Sequence, residues 1–250
     1  MPLFNKVLIT GANGVLGTEL RLQLDQYKIP YVGTDKEVDI CDFVTFRKAL
    51  LESDCDAVIH CAGLIDVPWC ESNRDKAYQV NVVGAMNVAQ ACFELDKFMT
   101  FISTDYVFRG DKEYVGDGIE GNYEVADRPD PINYYAFTKM LADVIIQNRF
   151  PFNSLIARIS FKKKGPWPYP KAFIDQYTSR DTVDVIANQI LQAMFSGHRN
   201  VVQLGTERKT VYELAKRQSV EVQPMSINDI KSVTLPKDTS MKLTKLEKVL

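Results

Sequence analysis

The sequence predicts an α/β fold, a parallel sheet covered by helices on both faces, and three observations lead there. Short apolar runs rich in β-branched residues alternate with amphipathic stretches through the first 160 residues. The runs are short and largely apolar, as strands covered on both sides should be. A glycine-rich turn separates the first run from the first amphipathic stretch.

Strands are expected at residues 6–10, 30–33, 57–60, 100–102 and 154–159. Between them Leu16, Leu20 and Leu24 recur every fourth residue, as do Val80, Gly84, Val88 and Cys92, so each set marks a helix with one apolar face. Residues 103–133 carry many glycines, prolines and charges, and this length exceeds an ordinary connection, which points to a functional loop or insertion. Beyond residue 160 the alternation weakens into a proline-rich stretch at 165–170, a helix near 183–195, a strand at 201–204 and a helix near 211–217. A larger domain over residues 1–160 and a smaller, interleaved lobe over 161–250 are therefore expected.

Thirty Lys and Arg against thirty-two Asp and Glu leave a net charge of −2, and 46% of the chain is hydrophobic, which excludes a disordered chain and a polybasic nucleic-acid surface. No apolar run reaches the roughly 18 residues of a membrane span. The N-terminus has no basic flank or cleavage site of an export signal. Five cysteines, all in the first half and without the paired short spacing of a zinc site, fit a reducing, cytoplasmic setting. With His60 and His198 the only histidines, no metal centre is expected.

Gly11, Gly14 and Gly17 follow the first strand and open the first helix, with Asn13, Val15 and Leu16 in the same turn. Glycines let the backbone turn tightly and approach a pyrophosphate, and the helix N-terminus supplies amide donors. Asp35 ends the second strand at the distance where a carboxylate bonds the adenosine ribose hydroxyls, while the adjacent Lys36 suits a 2′-phosphate. NADH and NADPH both stay open. Tyr135 and Lys139 stand one helical turn apart, and a cation beside a phenol favours its anion and brings its pKa toward the working range. Phe137, Met140, Leu141, Val144 and Ile145 cluster opposite and are expected to face the core, turning the Tyr–Lys pair away from it.

With this TGxxGxxG loop and YxxxK pair, the sequence resembles the extended short-chain dehydrogenase/reductases, and within them the dTDP-4-dehydrorhamnose reductase family. Residues 102–108 (ISTDYVF) and 131–139 (PINYYAFTK) are similar to segments of that family. The likeness runs on through Cys61-Ala62-Gly63, Glu71, Val80-Asn81, Asp175-Gln176, Thr178 and residues 233–240.

The resemblance implies a Rossmann-type doubly wound sheet, an NAD(P)-binding domain over 1–160 and a substrate-binding lobe over 161–250. It gives Thr104 the substrate ketone, Tyr135 the proton, and Lys139 the nicotinamide ribose and the tuning of Tyr135. Gly11, Gly14 and Gly17 match its pyrophosphate loop. Cys61, Ala62 and Gly63 match the segment under the cofactor, and Asp39 and Ile40 the adenine side. Asp105 and Tyr106 join Thr104 on the substrate side, where Arg109, Lys163 and Trp167 are candidates to grip a nucleotide's phosphates and base. Pro68 and Arg109 depart from the family's acidic residues, and residues 162–170 are atypical.

The implied reaction is NADPH- or NADH-dependent reduction of the 4-keto group of a dTDP- or UDP-linked 6-deoxyhexose in deoxysugar biosynthesis. The implied partner is a nucleotide-sugar, with a homodimer left open. Two rivals remain: a nucleotide-sugar epimerase or dehydratase, against which Asp105-Tyr106 stands where dehydratases have Asp-Glu, and a cofactor-binding regulatory subunit without turnover.

Overall fold

Residues 4–250 are described by a computed structural model. The chain opens as Val7–Thr10 (β1), Val15–Gln26 (α1), Tyr31–Thr34 (β2), Phe43–Ser53 (α2) and Ala57–His60 (β3). Two short helices, Val67–Ser72 (α3) and Arg74–Tyr78 (α4), run through a π-helical turn at Gln79–Gly84 into Ala85–Glu94 (α5). Phe98–Thr104 (β4) follows, then a 3-10 turn at Asp105–Val107 and an irregular stretch up to Tyr134–Arg149 (α6) and Ser154–Ile159 (β5). The remainder comprises Phe161–Lys162 (β6), Lys171–Phe173 (β7), Tyr177–Thr178 (β8), Asp181–Thr182 (β9), Val183–Phe195 (α7), Asn200–Gln203 (β10), Lys209–Thr210 (β11), Val211–Gln218 (α8) and Gln223–Met225 (β12).

Six strands form one parallel sheet in the order β2-β1-β3-β4-β5-β10. The chain reverses its direction of progress between β1 and β3, and a ligand crevice is expected beyond the carboxyl ends of strands at such a point. Leu16, Leu20 and Leu24 of α1 pack with Ile186 and Ile190 of α7 over one sheet face. Phe46 and Leu50 of α2, Val88 and Cys92 of α5 and Ile146 of α6 cover the other. Each such buried side chain contributes about 1.5–3 kcal/mol. The sheet takes β10, and its cover α7, from beyond residue 160, so the two parts of the chain interleave.

α2 shows why a helix forms where no long apolar stripe announces it. The Asp42 carboxylate accepts the Val44 and Thr45 amides at its start, and Asp54 takes a left-handed conformation at its end. α6 corrects an expectation. Its buried face carries Ala136, Thr138, Lys139, Ala142, Asp143 and Ile146, while Phe137 is 39% exposed and Met140, Leu141, Val144 and Ile145 are only half-buried. The polar face turns inward because its charges have partners there: Asp143 accepts from Ser103 Oγ and from Arg158 Nε, both at 2.9 Å.

The lobe is built otherwise. β6 pairs with β9, β8 with β11 and β7 with β12, each pair only two or three residues long. α8 starts on a capping box of Thr210 and Glu213, and the lobe's own buried apolar cluster is small: Trp167, Ala172, Val211, Ala215 and Val222. The C-terminal segment threads back, its Ser240 carbonyl accepting the Asn122 and Tyr123 amides at 2.9 Å. A side chain at Gly121 would collide there with the Met241 carbonyl. No helix among the described residues is long and apolar enough to cross a membrane.

Candidate active site

The crevice begins where β1 ends. Gly11 takes φ +66°, and a Cβ there would come within 2.8 Å of the Ala62 backbone beside β3, so glycine is required on both counts. The Thr10 hydroxyl lies 2.7 Å from His60 Nδ1 and accepts the Ala62 amide at 3.3 Å, which locks the two strand ends together. Burial holds the His60 pKa down at about 3, so this imidazole is neutral at ordinary pH. α1 starts at Gly14 with no side chain capping it and no acidic residue in its first turn, leaving amide donors turned toward an anion.

Two adjoining cavities share Gly11, Gly14, Cys61 and Gly63. One, of about 390 Å³, brings Val15, Leu16 and Gly17 of the loop together with Thr104, Asp105, Tyr106, Tyr135 and Lys139. The other, of about 770 Å³, is lined by Asn13, Asp35, Lys36, Asp39, Ile40 and Ala62. Asp35 Oδ2 accepts the Asn13 amide at 3.1 Å, fixing the carboxylate beside the loop. The continuous groove, with uncapped amides midway and a carboxylate at one end, fits a nicotinamide dinucleotide.

Thr104 ends β4. Its hydroxyl donates to Asp105 Oδ1 at 3.2 Å and accepts the Tyr106 amide at 3.2 Å. Asp105 is buried and also accepts from Thr178 (3.3 Å) and Thr239 (2.7 Å), so strand end, lobe and C-terminal segment meet at one carboxylate. Tyr135 and Lys139 lie on the first turns of α6, started by Asn133, whose side chain accepts the Ala136 amide at 2.9 Å. Glu71 anchors the same end by accepting the Tyr134 amide at 2.6 Å.

Burial pushes the Tyr135 phenol above its ordinary pKa, and the neighbouring Thr104 hydroxyl pulls only partly back. The expected lowering by Lys139 is not found: burial sets the direction, and the Asp105 carboxylate pushes the phenol the same way. Burial lowers Lys139 to about 8, against the pull of Asp143, and its Nζ lies 4.2 Å from the Phe101 ring. The resting site thus holds a protonated phenol, the form that can give a proton.

A third cavity, of about 440 Å³, opens beside the first and is lined by Tyr106, Trp167, Tyr169 and Phe173 among others. Trp167 is one of the residues that line it. Arg109 does not line these cavities: it is exposed and paired with Asp130 at 2.6 Å, a surface contact that leaves it no reason to turn inward. Lys163 is exposed too, and Pro68 sits in the first turn of α3. Sequence reasoning missed Lys162 and Arg180, which line both the first and the third cavity. Nothing in the run Lys162-Lys163-Lys164 distinguishes its first member, since only the fold turns it inward.

A family model described as the RmlD substrate binding domain matches residues 5–193, most of the chain. The chain belongs to the RmlD family. The family match contains the glycine loop, Thr104, Tyr135, Lys139 and Arg180, while α8 and the C-terminal segment lie outside it. A relative from Haloferax volcanii named "Probable low-salt glycan biosynthesis reductase Agl14" is 34% identical over 76% of this chain and 66% of its own length. A dTDP-4-dehydrorhamnose reductase from Mycobacterium tuberculosis is 33% identical over 58% of this chain and 47% of its own. The matched stretch thus spans between about half and two thirds of these relatives. A crystal structure of dTDP-4-dehydrorhamnose reductase from Bacillus anthracis in complex with NADP superposes with a TM-score of 0.84 at 27% identity, covering 96% of this chain and 91% of that one. RmlD-family membership and the Rossmann-type doubly wound sheet agree.

Proposed function

We propose that this RmlD-family chain is an NAD(P)H-dependent reductase acting on the 4-keto group of a nucleotide-linked 6-deoxyhexose. The observation that carries the reading is the meeting of Thr104, Tyr135 and Lys139 with the glycine loop in one cavity. The reductase names of two relatives and the NADP in the Bacillus anthracis structure support it.

Gly11, Gly14 and Gly17 with the α1 amides would hold the cofactor's diphosphate, Asp35, Lys36, Asp39 and Ile40 its adenosine half, and Lys139 its nicotinamide ribose. Bound there, the reduced nicotinamide supplies the hydride. Tyr135 gives its phenolic proton to the oxygen that was the ketone, so one hydride and one proton make the alcohol. Thr104 and Tyr135 meet the negative charge developing on that oxygen. Lys139 stabilises the tyrosinate left behind until solvent returns the proton. Asp105 keeps the Thr104 hydroxyl in place, and Tyr106 and Trp167 line the way to the nucleotide.

The test follows nicotinamide absorbance with NADH and NADPH in parallel against dTDP- and UDP-linked 4-keto-6-deoxyhexoses. Consumption that requires both the sugar and Tyr135 is expected. Conversion of a nucleotide hexose without consumption of reduced cofactor would replace this reading with an epimerase or dehydratase.

A further inference from the structure

Lys139 is a buried cation that shares its counter-charge with another. It is 7% exposed, and its Nζ rests 4.2 Å from the centre of the Phe101 ring. Asp143, fully buried, follows one turn later on the same face of α6. Its Oδ2 accepts from Arg158 Nε and from Ser103 Oγ, both at 2.9 Å, and its Oδ1 accepts from Arg158 Nη2 at 3.4 Å. Ser103 and Arg158 stand opposite each other in the β4–β5 ladder, and Phe101, two residues before Ser103, lies on the same side of β4. α6 therefore sets Lys139 and Asp143 over one strip of the sheet, with one carboxylate serving two cations.

Elsewhere around α6 the titratable groups are neutral or meet other parts of the site. His60 of β3 is neutral above about pH 3, and burial pushes the Cys61 thiol after it up to about 12. Cys92 of α5 is a thiol that burial keeps neutral, and the π-helical turn meets α6 through Asn81, which donates to Thr138 at 3.0 Å. Asp105 and Tyr106 of the 3-10 turn and Cys70 of α3 act on Tyr135. Glu71 of α3 accepts the Tyr134 amide, and Arg74 of α4 lies over the Tyr134 ring, so both meet the start of the helix. Lys162 and Arg180 line the cavity into which Lys139 opens, Arg180 with Asp105 as its electrostatic partner. Asp143 is thus the carboxylate that attracts the Lys139 ammonium.

We propose that Asp143 and Arg158 together set the charge of Lys139: Asp143 keeps the ammonium protonated through the working range, and Arg158, drawing on the same carboxylate, limits how strongly it does so. Both are positioning residues that act on the reaction through Lys139. The consequence for ketone reduction rests on the reductase reading; the titration of Lys139 does not. The two residues act with opposite signs. Removing the Asp143 charge leaves two buried cations together and favours the neutral amine, whereas removing the Arg158 charge leaves the carboxylate to Lys139 and favours the ammonium. A purely structural pair would move Lys139 in one direction or in neither.

NMR of the whole chain carrying lysine labelled with carbon-13 at Cε reads this charge directly, without cofactor or turnover, the Lys139 signal being assigned by its absence in Lys139→Met. In the unaltered protein it should titrate at about pH 8. Asp143→Asn, which keeps an acceptor for Ser103 and Arg158, should lower the midpoint by about one pH unit, and Arg158→Met should raise it by about as much. Ser103→Ala, which removes no charge, and Asp143→Glu, which keeps it, should stay within about half a unit. The kcat for ketone reduction should fall as Lys139 loses its proton, so its alkaline limb should move with the midpoint in each variant. An Asp143→Asn midpoint within about half a unit of the unaltered one, or shifts of the same sign in Asp143→Asn and Arg158→Met, overturns the proposal. Should one of these two fail to fold, the other decides alone by its sign. A midpoint that moves as expected in a chain that reduces no ketone leaves the charge-setting pair standing and removes the reductase; reduction whose alkaline limb stays fixed in Asp143→Asn does the reverse.

Discussion

The groove has two walls made by different means. On the sheet side β1, β3, β4 and β5 are buried along their whole length and pair in continuous parallel ladders, under helices that supply apolar stripes. On the lobe side the strand pairs are two or three residues long, and polar links hold them: Arg208 to Asp238 at 2.9 Å, Thr239 to Asp105 at 2.7 Å, and Lys209 to the Arg180 carbonyl at 3.0 Å. Burial fixes the side that carries Thr104, Tyr135 and Lys139, where a misplacement of about 1 Å can cost a hundredfold in rate. Polar links, each worth about 1 kcal/mol, shape the side that faces Trp167, Lys162 and Arg180.

The largest effect expected on the sheet wall is chemical. Tyr135→Phe should lower kcat by about 10²–10⁴ while NADPH affinity, read by fluorescence titration, stays within error. A kcat within a factor of two would break the assignment of the proton to this wall. Next is the ion pair behind it. Asp143→Ala leaves Arg158 charged and buried, at 3% side-chain exposure, without its partner, and denaturant unfolding should show a loss of about 3–5 kcal/mol.

Leu8→Ala cuts the sheet core at a fully buried position and should cost about 2–5 kcal/mol. Removing the Thr210 hydroxyl from the α8 capping box should cost only about 1 kcal/mol. Amide exchange sharpens the contrast: Leu8→Ala should speed exchange throughout the sheet, Thr210→Ala only around α8. Uniform acceleration by both would mean that the two walls unfold as one.

His60 tests the same wall through pH. Its folded pKa of about 3 lies below the ordinary 6.5, so between these values the unfolded chain takes up a proton that the folded chain does not. The stability tied to keeping it neutral is present above about pH 6.5 and is lost as pH falls toward 3, at up to about 1.4 kcal/mol per pH unit. His60→Gln should flatten this slope in unfolding curves between pH 4 and 6.5.

The contrast also explains what could be read from the chain. Leu16, Leu20 and Leu24 have a four-residue period because one face of α1 is dry, and Gly11 and Gly17 are spaced by the turn they make, so strands, loop and first helix were legible. The hydrophobic pattern reverses the face of α6, since hydrophobicity cannot register that Asp143 meets Arg158 and Ser103 from strands β5 and β4. Two-residue strands carry no period at all. For the same reason Lys162 could not be told from Lys163 and Lys164, while Arg109, singled out for its charge, is spent on Asp130 at the surface.

In the proposed reduction the sheet wall delivers a hydride to a keto carbon presented by the lobe. Incubating the protein with a nucleotide-linked 4-keto-6-deoxyhexose and cofactor deuterated at the transferring position, then locating the label in the product by NMR, tests it most directly. Deuterium is expected on the former keto carbon, in an amount that falls away in Tyr135→Phe. A converted sugar carrying no deuterium would contradict it.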